Sequence, residues 1–232
     1  MFETVENKKI SEIIIEQIEK MIMDGTLKSG DKLPPERELT EMFNVGRPAL
    51  REALKALEVI GLIECRHGQG NYIINNIENS LFKPLSLSFK LSNGNIEEIL
   101  QLRYIIESFT SGQAALVATE DDIKKLYNIM NSMMDAKSEN EKSRFDKMFH
   151  YEIAAIGKNR LIINLLESLS YLLDNFIEKT VRMSLFGEDS IEKIYNEHTR
   201  IIKAIEAHNS KEAVEATNYH LSQINTSMLN DL

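Results

Sequence analysis

Leu33–Leu62, LPPERELTEMFNVGRPALREALKALEVIGL, holds two short helical periods separated by a tight turn. Before the turn, Leu39, Met42 and Phe43 recur at helical spacing, and after it Leu50, Ala53, Leu54 and Leu57 do the same. Apolar residues three and four positions apart mark one buried face on each helix. Asn44-Val45-Gly46 separates the two periods. Pro48 just inside the second and Gly61 just past it fit the asymmetry of helix starts and stops. The outward face of the second helix keeps Arg47, Arg51 and Lys55. Steps of four residues turn about 400° on an α-helix, so these cations form one nearly straight row. A helix-turn-helix with such a row suits the DNA major groove. Glu52 and Glu58 lie among the cations, as on any solvated charged face, so the flanking sequence has to decide.

Upstream, residues 8–24 read as an amphipathic helix with Ile10, Ile13, Ile14, Ile18, Met21 and Ile22 on its apolar side. GTLKSGDKLPP follows as a turn-rich connector. Downstream, Leu62–Cys65 and Tyr72–Ile74 are short strand candidates joined by Arg66-His67-Gly68-Gln69-Gly70, a hairpin signal. Three helices and a two-stranded wing describe a winged helix. Arg66 and His67 lie beside glycines that let the backbone approach a phosphate or a groove wall closely.

The 232 residues suffice for two domains, and 43% hydrophobic with 27% charged residues is an ordinary soluble globular composition. No apolar run approaches the roughly 20 residues that span a bilayer, and MFETVENKKI lacks the order of a signal peptide. A membrane role is therefore not expected. The single cysteine, Cys65, fits a reducing cytoplasm and excludes an internal disulfide. Net charge is −9: residues 1–75 hold ten Lys/Arg against thirteen Asp/Glu, and the remainder 17 against 23. Neither part is basic. Any DNA contact must come from a local cluster, with the acidic bulk limiting non-specific binding.

Periodicity lapses from Asn75 to Pro84, which places a linker at 76–84 between a winged helix at 1–75 and a second domain at 85–232. That second domain reads as an all-α bundle. Its helices are expected at 85–92, Asn95–Ala118, Thr119–Ala136, and about 140–157, 160–180, 190–207 and 211–229. Ile99, Leu102, Ile106, Phe109 and Ala114 should face inward on the long helix from Asn95. Thr119 with Asp122 forms a capping-box variant, and Ser190 and Ser210 are candidate N-caps.

Asp146 and His150, four residues apart in FDKMFHYEIA, point a carboxylate and an imidazole from one helix face, spacing that suits a shared metal ion. His198 falls on the stripe of Ile201, Ile202 and Ile205, and His220 groups with Thr217 and Ile224. Each alone would pass as a core histidine satisfied by a hydrogen bond. Three inward histidines and an aspartate in one bundle are costly to bury unless something satisfies them together, and a divalent ion does so. His208, in AHNSKEA, reads as an exposed helix-end residue.

GTLKSGDKLPPEREL, VGRPALREALKALEVIGLIE and RHGQGNYI resemble the DNA-binding domain of the GntR superfamily of bacterial transcription regulators. The resemblance implies DNA contacts from Arg37, Arg47 and Arg51, with His67 and Gly68 of the wing in the minor groove. Gly46, Pro48 and Ala49 depart from the hydroxyl residues common there, and Ala49 offers only an apolar contact such as a thymine methyl. Residues 96–225 resemble the FCD ligand-binding domain of the FadR branch, through LQLRYIIES, Asp146 with His150, Asn159, the segment from His198, and His220. This implies a divalent ion, zinc or nickel above all, on Asp146, His150, His198 and His220. The donor set also admits manganese or iron. Asn159 reads as a helix N-cap rather than a ligand. Arg103 is expected either to pair with an effector carboxylate or to bridge to Glu107 at i+4.

The resulting expectation is a cytoplasmic homodimeric regulator, a repressor in the usual pattern of this branch. It would read a palindromic double-stranded operator and answer to a small organic acid at the metal. The alternatives are a metalloenzyme using the Asp/His₃ ion, which lacks any evident general base, and a direct metal sensor.

Overall fold

The computed structural model describes residues 8–75, 83–176 and 188–230. The chain divides into two compact units, Met1–Ser88 and Phe89–Leu232. In the first, α1 (Ile10–Met23), α2 (Glu36–Phe43) and α3 (Arg47–Val59) precede a hairpin of β1 (Ile63–Arg66) and β2 (Gly70–Ile73). This is the winged helix the sequence led one to expect. Its core gathers Ile14, Ile18, Leu33, Leu39, Leu50, Ala53, Leu57, Ile63 and Ile73. Burying each large aliphatic side chain contributes about 1.5–3 kcal/mol. Asn44 ends α2 in the left-handed conformation (φ 51), so α3 can leave at a new angle.

The buried seam is narrower than the periodicity suggested. Met42 is 70% exposed, and Ile10 and Ile13 face solvent at 53% and 41%. A short helix packed on a single neighbour covers only one i, i+4 row, here Leu39 with Phe43 and Ile14 with Ile18. The wing strands are also shifted. Arg66 and Gly70 are a ladder pair, leaving His67–Gln69 as the turn. The connector is not merely a turn: Gly30 N donates to Ile73 O, Ile73 N to Asp31 O and Leu33 N to Asn71 O, each at 2.8 Å. It thus covers the outer edge of β2, satisfying backbone groups that an open edge would expose.

The linker expected at 76–84 lies outside the described residues through position 82, and its last two positions, Lys83 and Pro84, are instead the first residues of the next helix, where a proline's missing N–H costs nothing. The helices that follow are α4 (Lys83–Leu91), α5 (Ile96–Val117), α6 (Glu120–Asp135), α7 (Glu139–Ile156), α8 (Arg160–Phe176), α9 (Glu188–Glu206) and α10 (Ser210–Asn230). The end of the helix expected at 160–180 falls outside the described residues. The second unit is all-α, as expected, with two apolar clusters centred on Phe149, Leu126 and Ile201, and on Ile99, Leu172 and Ile194. Thr119 and Asp122 form the capping box of α6, and Asn159 Oδ1 accepts from Leu161 N and Ile162 N at the start of α8. The two serine caps are corrected. Ser190 lies inside α9, and α10 is capped by Asn209, whose Oδ1 accepts from Glu212 N. Ser210 Oγ donates instead to Gly112 O, because α5 passes close enough to take that bond.

That close approach depends on Gly112. A Cβ there would meet Val214 Cγ2 at 2.9 Å and Ser210 Oγ at 3.2 Å. Val214 is β-branched and stiff at χ1, so it yields poorly. Gly112→Ala is expected to destabilise the second unit by about 1–3 kcal/mol despite the better helix propensity of alanine. Urea denaturation followed by circular dichroism checks this, and an unchanged midpoint would mean that α5 and α10 separate at little cost. On the same helix, Leu102 and Phe109 were expected inward and are 45% and 51% exposed. The face of α5 that does turn inward carries Ile99, Glu107, Ser111 and Ala114, partly polar residues that apolar spacing alone would not select.

Among the described residues, no helix is long and apolar enough to cross a membrane.

Candidate metal centre and nucleic-acid interface

In the second unit, α7 supplies Asp146 and His150, α9 supplies His198 and α10 supplies His220. All four are buried, and one donor atom from each lies within 4.8 Å of the others. Asp146 Oδ1 is 3.4 Å from His198 Nε2 and 3.8 Å from His150 Nε2, while His198 Nε2 and His220 Nε2 are 3.3 Å apart. The four positions read from the sequence therefore converge. Asp146 Oδ1 and His150 Nε2 are buried without a hydrogen-bond partner among the protein atoms. Orphaned polar atoms of this kind are costly in an interior, and a divalent ion among one oxygen and three imidazole nitrogens would satisfy them. The residues fit the group.

Two carboxylates lie beside the histidines that the sequence did not place there: Glu107, expected only as a partner of Arg103, and Glu197, which was not singled out. His150 Nδ1 lies 2.6 Å from Glu107 Oε2, and His220 Nδ1 lies 2.8 Å from Glu197 Oε2. Glu107 and Glu197 are only 2% and 7% exposed. Their positions held a signal: Glu197 falls on the stripe of Ile194 and Ile201, and Glu107 on that of Leu100 and Ala114, so both were due to point inward. His198 has no such partner and is held by packing, its ring stacked on Phe149 with centroids 4.1 Å apart and planes 16° from parallel. Arg103 ion-pairs with Glu107 through Nε, one of the two partners expected for it.

Burial holds His198 well below the ordinary histidine range. It lowers His220 as well, although the hydrogen bond that His220 donates to Glu197 opposes it. Both rings are thus kept as the neutral imidazole that a metal requires. Burial by itself would raise Glu107, but Arg103 and then His150 outweigh it and bring its pKa to about 2. His208 is exposed at the end of α9, and its Nδ1 lies 2.8 Å from Ala115 O.

In the first unit, Arg47, Arg51 and Lys55 are all exposed on α3, as their four-residue spacing requires, and Ala49 is half-buried at its start. Gly46 caps α3 with no side-chain hydrogen bond. Carboxylates answer most of these cations: Arg51 Nε meets Glu36 Oε2 at 2.9 Å, Arg37 Nε meets Glu41 Oε1 at 3.4 Å, and Lys55 Nζ meets Glu58 Oε2 at 2.7 Å. Exposed pairs of this kind are worth about 0–1 kcal/mol, so a phosphate or a guanine edge can displace them. In the wing, His67 is exposed and Gly68 takes φ +71, a turn conformation that favours glycine. Arg66 lies over Tyr72, 4.3 Å from the ring centroid, and pairs with Glu64 at 2.7 Å, so it belongs to the strand ladder rather than to the tip.

Residues 10–73 match the family model described as bacterial regulatory proteins, gntR family, and residues 98–223 match the FCD domain. The HTH-type transcriptional regulator LutR of Bacillus subtilis is 32% identical over 206 residues, covering 88% of this chain and 94% of LutR. The HTH-type transcriptional repressor NanR of Enterobacter is 31% identical over 221 residues, covering 94% and 84%. The Glc operon transcriptional activator of Escherichia coli is 29% identical over 208 residues, covering 86% and 81%. Among solved structures, a GntR protein of Streptococcus agalactiae superposes with a TM-score of 0.73 at 26% identity, covering 94% of this chain and 99% of that one. These relatives are transcription regulators and not enzymes. With a winged helix matched over 10–73 and an FCD domain over 98–223, the chain belongs to the GntR family of DNA-binding transcription regulators and carries the FCD effector domain.

Proposed function

We propose that this regulator is a cytoplasmic homodimeric repressor controlled by a small organic acid bound at a divalent metal in its FCD domain. The observation that carries the reading is the buried convergence of Asp146, His150, His198 and His220. Zinc or nickel is assigned first, with manganese or iron compatible with the same donors. When bound, the ion supplies a Lewis-acidic position for an effector carboxylate. Arg103 approaches Glu107 through Nε, and its terminal guanidinium nitrogens are assigned to that carboxylate. The DNA-binding head is taken as 1–75, joined through the segment that ends at α4 to the effector domain that follows.

The DNA contacts are assigned to Arg37, Arg47, Ala49 and Arg51, and to His67 and Gly68 in the wing. Two heads related by a two-fold axis would read a palindrome. The dimer reading is supported by α5, where Leu102, Ile105, Phe109 and Leu116 are 45%, 64%, 51% and 59% exposed. Their spacing puts them on one stripe, an apolar face that a second copy would bury. Repression is the sign carried by NanR, whereas the Glc operon relative is named an activator. Effector binding that stabilises one arrangement of the two heads over another would change operator affinity.

The test is thermal unfolding of the metal-loaded protein across hydroxy-, keto- and sugar acids, with and without chelator. One class of acid should raise Tm, and the rise should vanish on chelation. A rise that persists without metal would separate the effector from the ion, and no rise with any acid would remove the carboxylate from the reading.

A further inference from the structure

A histidine ligand has two ring nitrogens, and the partner of one decides which way the other faces. His220 Nδ1 hydrogen-bonds Glu197 Oε2 at 2.8 Å, and His150 Nδ1 lies 2.6 Å from Glu107 Oε2, an ion-pair contact whose angle falls short of a hydrogen bond. The Glu197 bond holds the His220 tautomer with the proton on Nδ1, the nearby Glu107 carboxylate favours the same tautomer at His150, and both leave the Nε2 lone pair for an ion. Burying two further carboxylates beside Asp146 is expensive unless cations answer them. Arg103 answers one, through Glu107. Three buried carboxylates, Asp146, Glu107 and Glu197, against one guanidinium are a formal excess of two negative charges, which a divalent cation would cancel. Glu107 stands between Arg103 and the ligand His150, pairing with both.

We propose that Glu107 and Glu197 are positioning residues of the metal centre, and that Glu107 is also the counter-ion that allows Arg103 to remain beside a bound cation. This rests on the metal reading given above and extends it to residues that touch no ion. The two glutamates differ in one respect. Loss of the Glu197 charge frees one histidine ring, whereas loss of the Glu107 charge both frees a ring and leaves Arg103 unopposed.

The experiment is Co²⁺ and Zn²⁺ binding to the full-length chain by competition titration, with the visible absorption of the Co²⁺ form as a second readout. Glutamine keeps the shape and a hydrogen-bond acceptor while removing the charge. Glu197→Gln should weaken binding about 10- to 100-fold, the range found when such outer partners are removed. Glu107→Gln should weaken it more. The double variant Arg103→Met with Glu107→Gln should recover at least several-fold over Glu107→Gln alone. All three should keep the wild-type Co²⁺ band positions, because the four ligands remain. A purely structural role would shift the unfolding temperature of the metal-free protein and leave these affinities alone.

Wild-type binding with both glutamine variants within two-fold of it overturns the positioning role. A double variant no better than Glu107→Gln overturns the counter-ion role. If Glu107→Gln does not fold, Glu197→Gln still decides the positioning claim, and the double variant decides the counter-ion claim by folding or by failing to fold. A wild-type chain that binds no Co²⁺ fails at the metal reading itself, an outcome distinct from the others.

Discussion

Arg47→Ala combined with Arg51→Ala is expected to cut operator affinity by roughly 30- to 10⁴-fold, the largest effect available in the DNA-binding unit. Each arginine that reads a base edge is worth about 1–3 kcal/mol of discrimination, so two remove about 2–6 kcal/mol. The reasoning starts from charge. A chain of net charge −9 has no diffuse basic field to hold DNA, so the attraction falls on the few cations of one helix and its neighbours. Even these are engaged in the free protein, with Arg51 on Glu36 and Arg37 on Glu41. On that assignment base contacts would replace intramolecular pairs, and binding to arbitrary DNA is expected to be weak. Fluorescence anisotropy with the region upstream of the protein's own operon, at one fixed salt concentration, measures the loss. Arg37→Ala should weaken specific and non-specific DNA alike and flatten the salt dependence. An Arg47/Arg51 double variant that binds as the wild type does would remove α3 from the major groove.

Removal of the metal ligand set is expected to have the second large effect. His198→Ala should abolish stoichiometric metal in the purified protein, because that ring lies in van der Waals reach of the other two histidines and of Asp146. Chelation of the wild-type protein should lower Tm by about 10 °C, since an ion present at a thousand times its Kd stabilises by about 4 kcal/mol. The chelated protein should also be acid-labile. His198 and His220 are held below the ordinary histidine value in the folded state, first by burial. Below about pH 6.5 the unfolded chain therefore takes up protons that the folded chain refuses. Stability is fully present above that value and falls as pH drops, by about 1.4 kcal/mol per pH unit for each ring engaged. Glu107, depressed from 4.5 to about 2, extends the loss with the same sign below pH 4.5. Urea denaturation of the chelated protein at pH 7.5, 6 and 5 measures it. A flat profile across that range would mean that the two rings are not buried as neutral bases.

Much of the architecture was legible in the chain because it rests on local periodicity. The i, i+3 and i+4 spacing of Leu50, Ala53, Leu54 and Leu57 sets α3, and the same rule places Arg47, Arg51 and Lys55 on its outer face. His150 follows Asp146 by one turn, and His198 and His220 each fall on a buried stripe, so the sequence by itself determined which four side chains face the interior. It also supplied Asn159 and the Thr119–Asp122 box, whose partners lie within three residues.

Tertiary structure alone decided the rest, since those features depend on which helices become neighbours. Spacing does not say which of two apolar faces of α5 is covered, and so Leu102 and Phe109 lie at the surface while Glu107 is buried. The partner of Ser210 is Gly112, 98 residues away, and no local rule selects it. Only the packing of α5 against α7, and of α9 against α10, brings Glu107 to His150 and Glu197 to His220. A hydrophobic pattern records that a side chain leaves water. What it meets there depends on chain segments far away, and in this protein that meeting turns four inward residues into a charged and oriented site.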